Sequence, residues 1–212
     1  MTPTLYRIVW TALVLVLAVP AGWAAARVAR IYGPSPPAIV PTIAATLAVF
    51  GWAAAATPAG LVLGLSLVLG WTLLTLALVD ARAFRLPDPL TLPLLAAGLA
   101  AAFLPPDAPV VDRLAGAAAG YAVLGIVGWA FWRLRGQEGL GLGDAKLLAA
   151  AGAWLGWRAL PSVLILACLL AFAWVAVRAA AKGRASLRGQ VAFGAPLCLA
   201  TWIVWLYGPL TL

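Results

Sequence analysis

Residues 58–80 of the chain read PAGLVLGLSLVLGWTLLTLALVD, an apolar run in which Asp80 is the first charged residue. About 20 such residues are enough for an α-helix to cross the hydrocarbon core of a bilayer. The whole chain has this character, with 65% hydrophobic residues, 9% charged residues and a mean hydropathy of +1.05. Soluble domains carry about 25% charged residues. The composition therefore predicts an all-α, polytopic transmembrane helical bundle with the lipid bilayer as its surroundings.

Seven further apolar segments flank this run, and Pro, Gly or charged residues separate them. They cover about residues 5–26, 38–56, 89–104, 113–132, 145–157, 161–181 and 193–210. We expect about eight spans, of which the segment after Asp144 is short, in one membrane domain over residues 1–212. Pairs of glycines four residues apart predict close helix packing at three places. The pairs are Gly60 and Gly64, Gly116 and Gly120, and Gly152 and Gly156.

The basic residues indicate how the segments cross the membrane. If eight spans alternate in direction, 11 of the 14 Lys and Arg residues fall on one side. The other three are Arg7, Arg113 and Arg158. Because cytoplasmic loops are enriched in Lys and Arg, we expect both termini outside and Asp80 and Asp144 on the cytoplasmic side. Basic residues directly after the first apolar segment favour a retained span over a cleaved signal peptide.

The polar residues also exclude several classes of site. The net charge is +8, but the basic residues are dispersed between spans, so we expect no nucleic-acid partner. The chain has no His, and its two cysteines, Cys168 and Cys198, each lie within an apolar segment. We therefore expect neither a zinc site nor another bound cofactor.

Two of the six acidic residues stand at the ends of apolar segments, Asp80 after one and Asp144 before another. Each has an ordinary interpretation: Asp80 as a solvated helix-end residue near an arginine, and Asp144 as a helix N-cap. However, Asp80 stands at the end of the helix dipole that disfavours negative charge. Gly141 and Gly143 permit positive φ angles and the close approach of a peptide backbone. Together the carboxylates predict an aspartic-protease pair, in which one activates water and the other polarises the scissile carbonyl.

Two residues near this pair have less specific interpretations. Asp88, between Pro87 and Pro89, is typical of a helix N-cap followed by proline at the first helical position. Lys146 follows the second aspartate by two positions and so faces a different side of its helix. Its expected partners are Glu138, a lipid phosphate or the acidic pair itself.

Three stretches of the chain resemble the type IV prepilin leader peptidases, which are GxGD integral-membrane aspartyl proteases. Residues 80–88, DARAFRLPD, resemble the first-aspartate motif of that family. Residues 135–150, RGQEGLGLGDAKLLAA, resemble the second motif. Residues 193–196, FGAP, are similar to the closing Phe-Gly-Pro element, with Ala195 inserted. The resemblance extends over about residues 58–210.

The resemblance implies an endopeptidase of the bacterial inner membrane that cuts basic leader peptides from prepilins or pseudopilins at the cytoplasmic face. The cut would fall after a Gly that precedes an apolar helix, in a type IV pilus or type II secretion system. The resemblance implies Asp80 and Asp144 as catalytic residues. The residues that it implies in support are Gly141, Gly143, Lys146, Pro87 and Asp88.

Many members of that family carry paired Cys-x-x-Cys motifs after the first span and also N-methylate the new terminus. No Cys occurs in that part of this chain, so the sequence predicts no zinc there. It also offers no recognisable S-adenosylmethionine site and so does not support N-methylation. Three alternatives stay open: a presenilin-like intramembrane protease, a proton-coupled small-solute transporter, and a scaffold without catalytic activity. The sequence leaves the oligomeric state open.

Overall fold

The computed structural model describes residues 3–33, 37–104, 110–136, 141–182 and 192–210. Within these ranges the backbone forms α-helices and no strand, which confirms the all-α prediction. The helices are α1 (Pro3–Tyr32), α2 (Ile39–Ala56), α3 (Leu61–Ala83), α4 (Asp88–Ala101), α5 (Val110–Arg135), α6 (Leu142–Leu155), α7 (Leu160–Lys182) and α8 (Gly194–Tyr207). A 3₁₀ turn, Trp157–Ala159, precedes α7.

Five stretches of helix are long and apolar enough to cross a membrane, and the protein is therefore a multi-pass membrane protein. They are Val9–Tyr32, Ile39–Ala56, Leu61–Ala83, Val110–Arg135 and Trp157–Ala181. The other three helices, α4, α6 and α8, have 14 residues each. At 1.5 Å per residue such a helix is about 21 Å long, less than the roughly 30 Å core of a bilayer. Three helices, rather than the one expected, are thus shorter than a full span.

The chain folds as two compact units, Met1–Ala83 and Phe84–Leu212. The first unit contains α1, α2 and α3, whose short connections make neighbouring helices antiparallel. Gly22 of α1 packs on α2, since a Cβ there would lie 2.7 Å from the Cα of Ile43. The indole Nε1 of Trp71 in α3 donates a hydrogen bond to the carbonyl oxygen of Ala21, at 2.9 Å. These two contacts fix the register of the three helices.

In the second unit, α6 packs against α4, α5 and α8. Its residues from Leu147 to Trp154 are all buried, so protein rather than lipid surrounds this short helix. The indole Nε1 of Trp154 donates a hydrogen bond to the carbonyl oxygen of Leu94 in α4, at 2.8 Å. The Trp154 ring also meets the ring of Trp205 edge-on, with 5.4 Å between centroids. A helix enclosed in this way needs apolar side chains but not the length of a span.

The spaced glycines fulfil the packing prediction at two of the three places. A Cβ on Gly116 of α5 would lie 2.5 Å from the carbonyl oxygen of Gly152 in α6. One turn further, Gly120 faces the backbone of Leu148 equally closely. The two helices therefore touch through their backbones, as such motifs allow. The prediction is wrong for Gly60 and Gly64, because no described atom lies within 4 Å of a Cβ built at either position.

Candidate active site

Asp80 lies in the last turn of α3 and is only 4% exposed. Leu76 and Leu73, one and two turns earlier on the same side of the helix, are buried as well. The neighbouring Arg82 donates a hydrogen bond from its guanidinium to the carbonyl oxygen of Leu78, at 3.2 Å. Asp80 therefore ends the helix as expected, but the interpretation that it is solvated is wrong, because its side chain is buried. A buried carboxylate at the end of an apolar helix is costly, which is typical of functional positions in membrane proteins.

The chain leaves α3 through an unusual backbone turn. Phe84 has a φ angle of +51°, in the left-handed region that favours glycine. Pro87 is extended, with φ −70° and ψ 132°, and its carbonyl oxygen accepts the amide hydrogens of Leu90 and Thr91. Pro87 is thus the N-cap of α4, and Asp88 is the first helical residue. The prediction of Asp88 as the N-cap is wrong by one position.

Asp144 is the third residue of α6 and lies in its first turn. The N-cap is Gly141, whose carbonyl oxygen accepts the amide hydrogen of Asp144 at 3.0 Å. The N-cap interpretation of Asp144 is therefore wrong. The first turn of a helix exposes amide hydrogens without intrahelical partners, and the partial positive charge there favours a carboxylate.

The two glycines before Asp144 serve different purposes from those expected. Gly141 has a φ angle of −72°, and neither Gly141 nor Gly143 is among the residues with positive φ. The expectation of positive φ at these positions is wrong. A Cβ on Gly143 would lie 3.0 Å from the Cβ of Leu86, whereas one on Gly141 would meet nothing closer than 3.9 Å. Gly143 thus allows the first turn of α6 to pack on the segment before α4.

An ion pair joins the N-terminal ends of α4 and α6. The Nζ of Lys146 lies 2.6 Å from one carboxylate oxygen of Asp88 and 2.8 Å from the other. The side chains are 29% and 51% exposed, respectively, so the pair contributes at most about 1 kcal/mol to stability. Its main effect is to hold two helix starts together beside Asp144. The alternative partner of Lys146, Glu138, lies outside the described residues.

The ion pair between Asp88 and Lys146 was not predicted from the sequence, because the two residues are 58 positions apart. Of the predicted site residues, the structure brings Asp88 and Lys146 into contact, with Pro87, Gly141, Gly143 and Asp144 in the same unit. Asp80 belongs to the other unit. In the part of the chain that is described, no group of three or more His, Cys, Asp or Glu residues is arranged to hold a metal ion.

The closing motif forms the start of the last helix. Phe193 is the N-cap residue of α8, and Gly194, Ala195 and Pro196 make its first turn. Proline is well accommodated there, because its missing amide hydrogen has no intrahelical partner to lose. The inserted Ala195 therefore lies within a regular helical turn. Helix α8 in turn packs on α6, the helix that carries Asp144.

Comparison with known proteins gives a consistent set of matches. The model of the type IV leader peptidase family matches residues 67–176, more than half of the chain, and this region includes both aspartates. The prepilin leader peptidase/N-methyltransferase of Aeromonas salmonicida is 45% identical over 148 residues, which are 68% of this chain and 49% of that protein. The protein of that name from Klebsiella pneumoniae is 52% identical over 101 residues, 48% of this chain and 44% of that protein.

The similarly named Pseudomonas putida protein is 40% identical over 160 residues, 76% of this chain and 54% of that protein. The chain spans about half the length of the curated relatives that it matches. No solved structure matches it.

Proposed function

Because this chain belongs to the type IV leader peptidase family, we propose that it is a membrane aspartic endopeptidase with Asp80 and Asp144 as its catalytic pair. The substrates are prepilins or pseudopilins, whose basic leader peptides it removes at the cytoplasmic face of the membrane. The observation that carries the proposal is the placement of two carboxylates within the family-matched region. One is buried at the end of a spanning helix, and the other lies in the first turn of a helix enclosed by protein.

The two positions suit different parts of the reaction. Asp144 lies where a helix start favours negative charge, so it is the carboxylate that accepts a proton from the attacking water. The water oxygen bonds to the scissile carbonyl carbon, while Asp80 donates a proton to the carbonyl oxygen. As the tetrahedral intermediate collapses, the carbon–nitrogen bond breaks and Asp144 returns its proton to the leaving amine. Asp80 takes back a proton from one hydroxyl group of the intermediate, which becomes the new carboxyl group. Such a pair titrates as a unit.

The surroundings of Asp144 are suited to holding its carboxylate in place. Gly143 packs on Leu86, and Lys146 pairs with Asp88, so two contacts link the N-terminal end of α6 to the start of α4. Small displacements of catalytic groups reduce rates strongly, by up to about a hundredfold for 1 Å. These residues are therefore proposed as positioning residues for the second aspartate.

The membrane side and the substrate class rest on charge and hydropathy. The distribution of Lys and Arg supports a cytoplasmic site, where a leader peptide that has not crossed the membrane is accessible. The apolar helix after the cleavage site of such a substrate would lie in the bilayer beside the five spanning helices. The proposal concerns peptide cleavage alone and does not extend to N-methylation.

The proposal is tested with the purified protein in detergent and a synthetic peptide that carries a basic leader, a Gly and an apolar helix. We expect a single cut after the Gly, identified by mass spectrometry of both products. A peptide with the basic residues of the leader replaced by Gln is the matched control for leader recognition. Cleavage inside the apolar helix would contradict the proposal and favour an intramembrane protease, and an intact peptide would also contradict it.

The glycines before Asp144 give a sharper test of the positioning argument. We expect Gly143→Ala to reduce cleavage by at least about tenfold, because its Cβ would displace Leu86 or the first turn of α6. Gly141→Ala is the matched control, and we expect a rate within about twofold of the parent, since its Cβ meets only ordinary contacts. Combining Gly143→Ala with Leu86→Gly, which removes the Cβ that the new methyl group would meet, should recover part of the lost rate. Equal losses at the two glycines would mean that substrate contact, and not packing on Leu86, requires them.

A further inference from the structure

A cavity of about 260 Å³ lies in the first unit, between the end of α1 and the start of α2. Its lining consists of Trp23, Ala26, Arg27, Arg30, Pro37 and Ile39. Ala26 and Pro37 are buried, whereas the two arginine side chains are exposed. The guanidinium carbon of Arg27 lies 4.3 Å from the centre of the Trp23 ring. The cavity is therefore a small basic pocket with an aromatic wall.

The charge of this unit is strongly unbalanced. Residues 1–83 contain four arginines and a single acidic residue, Asp80, which is buried. Arg27 stacks on an aromatic ring, and this contact leaves its N–H groups able to donate in the plane of the guanidinium. Each guanidinium group presents a fork of N–H donors that matches two oxygens of a phosphate, and two such groups lie on the rim of this pocket. The pocket thus has the chemistry of an anion site.

The register of the helices gives the depth of the pocket. Ala21 of α1 is bonded to Trp71 of α3, and these two helices run in the same direction. Arg30 follows Ala21 by nine residues, and Asp80 follows Trp71 by nine residues. At 1.5 Å per residue both lie about 14 Å beyond the contact. The pocket is therefore at about the depth of Asp80 within this unit.

An exposed apolar stripe on α1 leads directly to the pocket. Its members follow one another by three or four residues and so share one face of the helix. They are Val9, Leu13, Val16, Pro20 and Trp23, all exposed. From Val9 to Trp23 the stripe is about 21 Å long, more than half of the roughly 30 Å core of a bilayer. The next positions on this face are the two arginines of the pocket.

We propose that this pocket binds the phosphate of an anionic phospholipid, with an acyl chain lying along the stripe. Trp at the membrane interface and basic pockets between helix ends are typical of headgroup sites. The stripe favours a lipid over free phosphate, because an acyl chain can contact the exposed apolar surface and free phosphate has no apolar part. A lipid held there fixes the end of the α1–α2 hairpin at the membrane surface, at the level of Asp80. The proposal does not depend on the peptidase reaction.

The test is native mass spectrometry of the full-length protein with phosphatidylglycerol and phosphatidylcholine in equal amounts. We expect preferential retention of phosphatidylglycerol. Each of Arg27→Gln and Arg30→Gln should weaken its binding about fivefold, and the double variant about thirtyfold. The matched control removes two exposed arginines from the end of another spanning helix, Arg133→Gln with Arg135→Gln, and should bind like the parent.

Several outcomes would overturn the proposal. One is equal retention of the two lipids by the parent protein, and another is equal binding by the pocket variant and the control variant. Loss of the bound lipid in millimolar inorganic phosphate would assign the pocket to free phosphate. Disulfide-linked dimers of a Val16→Cys protein with Cys168 and Cys198 replaced by Ser, in place of lipid retention, would show that a second copy of the chain covers the stripe.

Discussion

Replacement of Asp144 by Asn is expected to abolish cleavage of a prepilin-type peptide, and Asp80→Asn is expected to do the same. An amide cannot accept the proton of the attacking water or donate a carboxyl proton to the scissile carbonyl. General acid–base groups contribute up to about 10⁴-fold, so each variant should be at least about a thousandfold slower than the parent. The measurement is the initial rate of product formation by purified protein, with membrane insertion verified by extraction from washed membranes.

Asp112→Asn is the matched control for both variants, because it removes another carboxylate in the first turn of a helix, α5. We expect it to retain the parental rate. The double variant Asp80→Asn with Asp144→Asn should be no slower than either single variant, because the two residues act as a unit. Normal cleavage by either single variant would show that the aspartates are not the catalytic pair.

The second large effect is expected at the contact between α5 and α6. A Cβ on Gly116 would lie 2.5 Å from the carbonyl oxygen of Gly152, and backbone cannot move aside as a flexible side chain can. Gly116→Ala should therefore destabilise the protein by about 3 kcal/mol or more. For a chain of this size that corresponds to a fall in Tm of roughly 6–12 °C, measured by thermal unfolding in detergent.

Gly125→Ala is the matched control on the same helix, since a Cβ at that position meets no described atom within 4 Å. Because Ala favours helix over Gly by up to about 1 kcal/mol, we expect its Tm to be unchanged or a few degrees higher. If both substitutions changed the Tm equally, the backbone contact between α5 and α6 would not be a determinant of stability.

The number and order of helices could be predicted from hydropathy alone, because each apolar segment is bounded by Pro, Gly or charge. Their lengths could not, since a helix enclosed by protein and a helix facing lipid are equally apolar. Helix α6 illustrates this: nine of its 14 residues are buried, and it is too short to cross a bilayer. The GxxxG pattern likewise identifies small residues but not the helix that packs on them. The prediction of close packing is therefore confirmed at Gly116 and wrong at Gly60.

The residue types of the candidate site could be predicted from the sequence, but the contacts between these residues could not. The motif around Asp144 indicated a helix start, but the cap is Gly141, three residues earlier. The small size of Gly143 allows it to pack on Leu86. A local sequence pattern cannot predict this contact, because the two residues are far apart in the sequence. The ion pair between Asp88 and Lys146 has the same origin, since both residues have plausible local roles when each is considered alone.

The central claim is that Asp80 and Asp144 serve one reaction centre, and chemical cross-linking tests it most directly. In a chain with Cys168 and Cys198 replaced by Ser, we would introduce Asp80→Cys and Asp144→Cys together. A thiol-specific cross-linker that spans about 5 Å matches two groups that share one water. We expect an intramolecular cross-link, detected as a joined pair of peptides by mass spectrometry, with or without bound leader peptide. Absence of the cross-link in both states, with each single cysteine reactive, would contradict the claim.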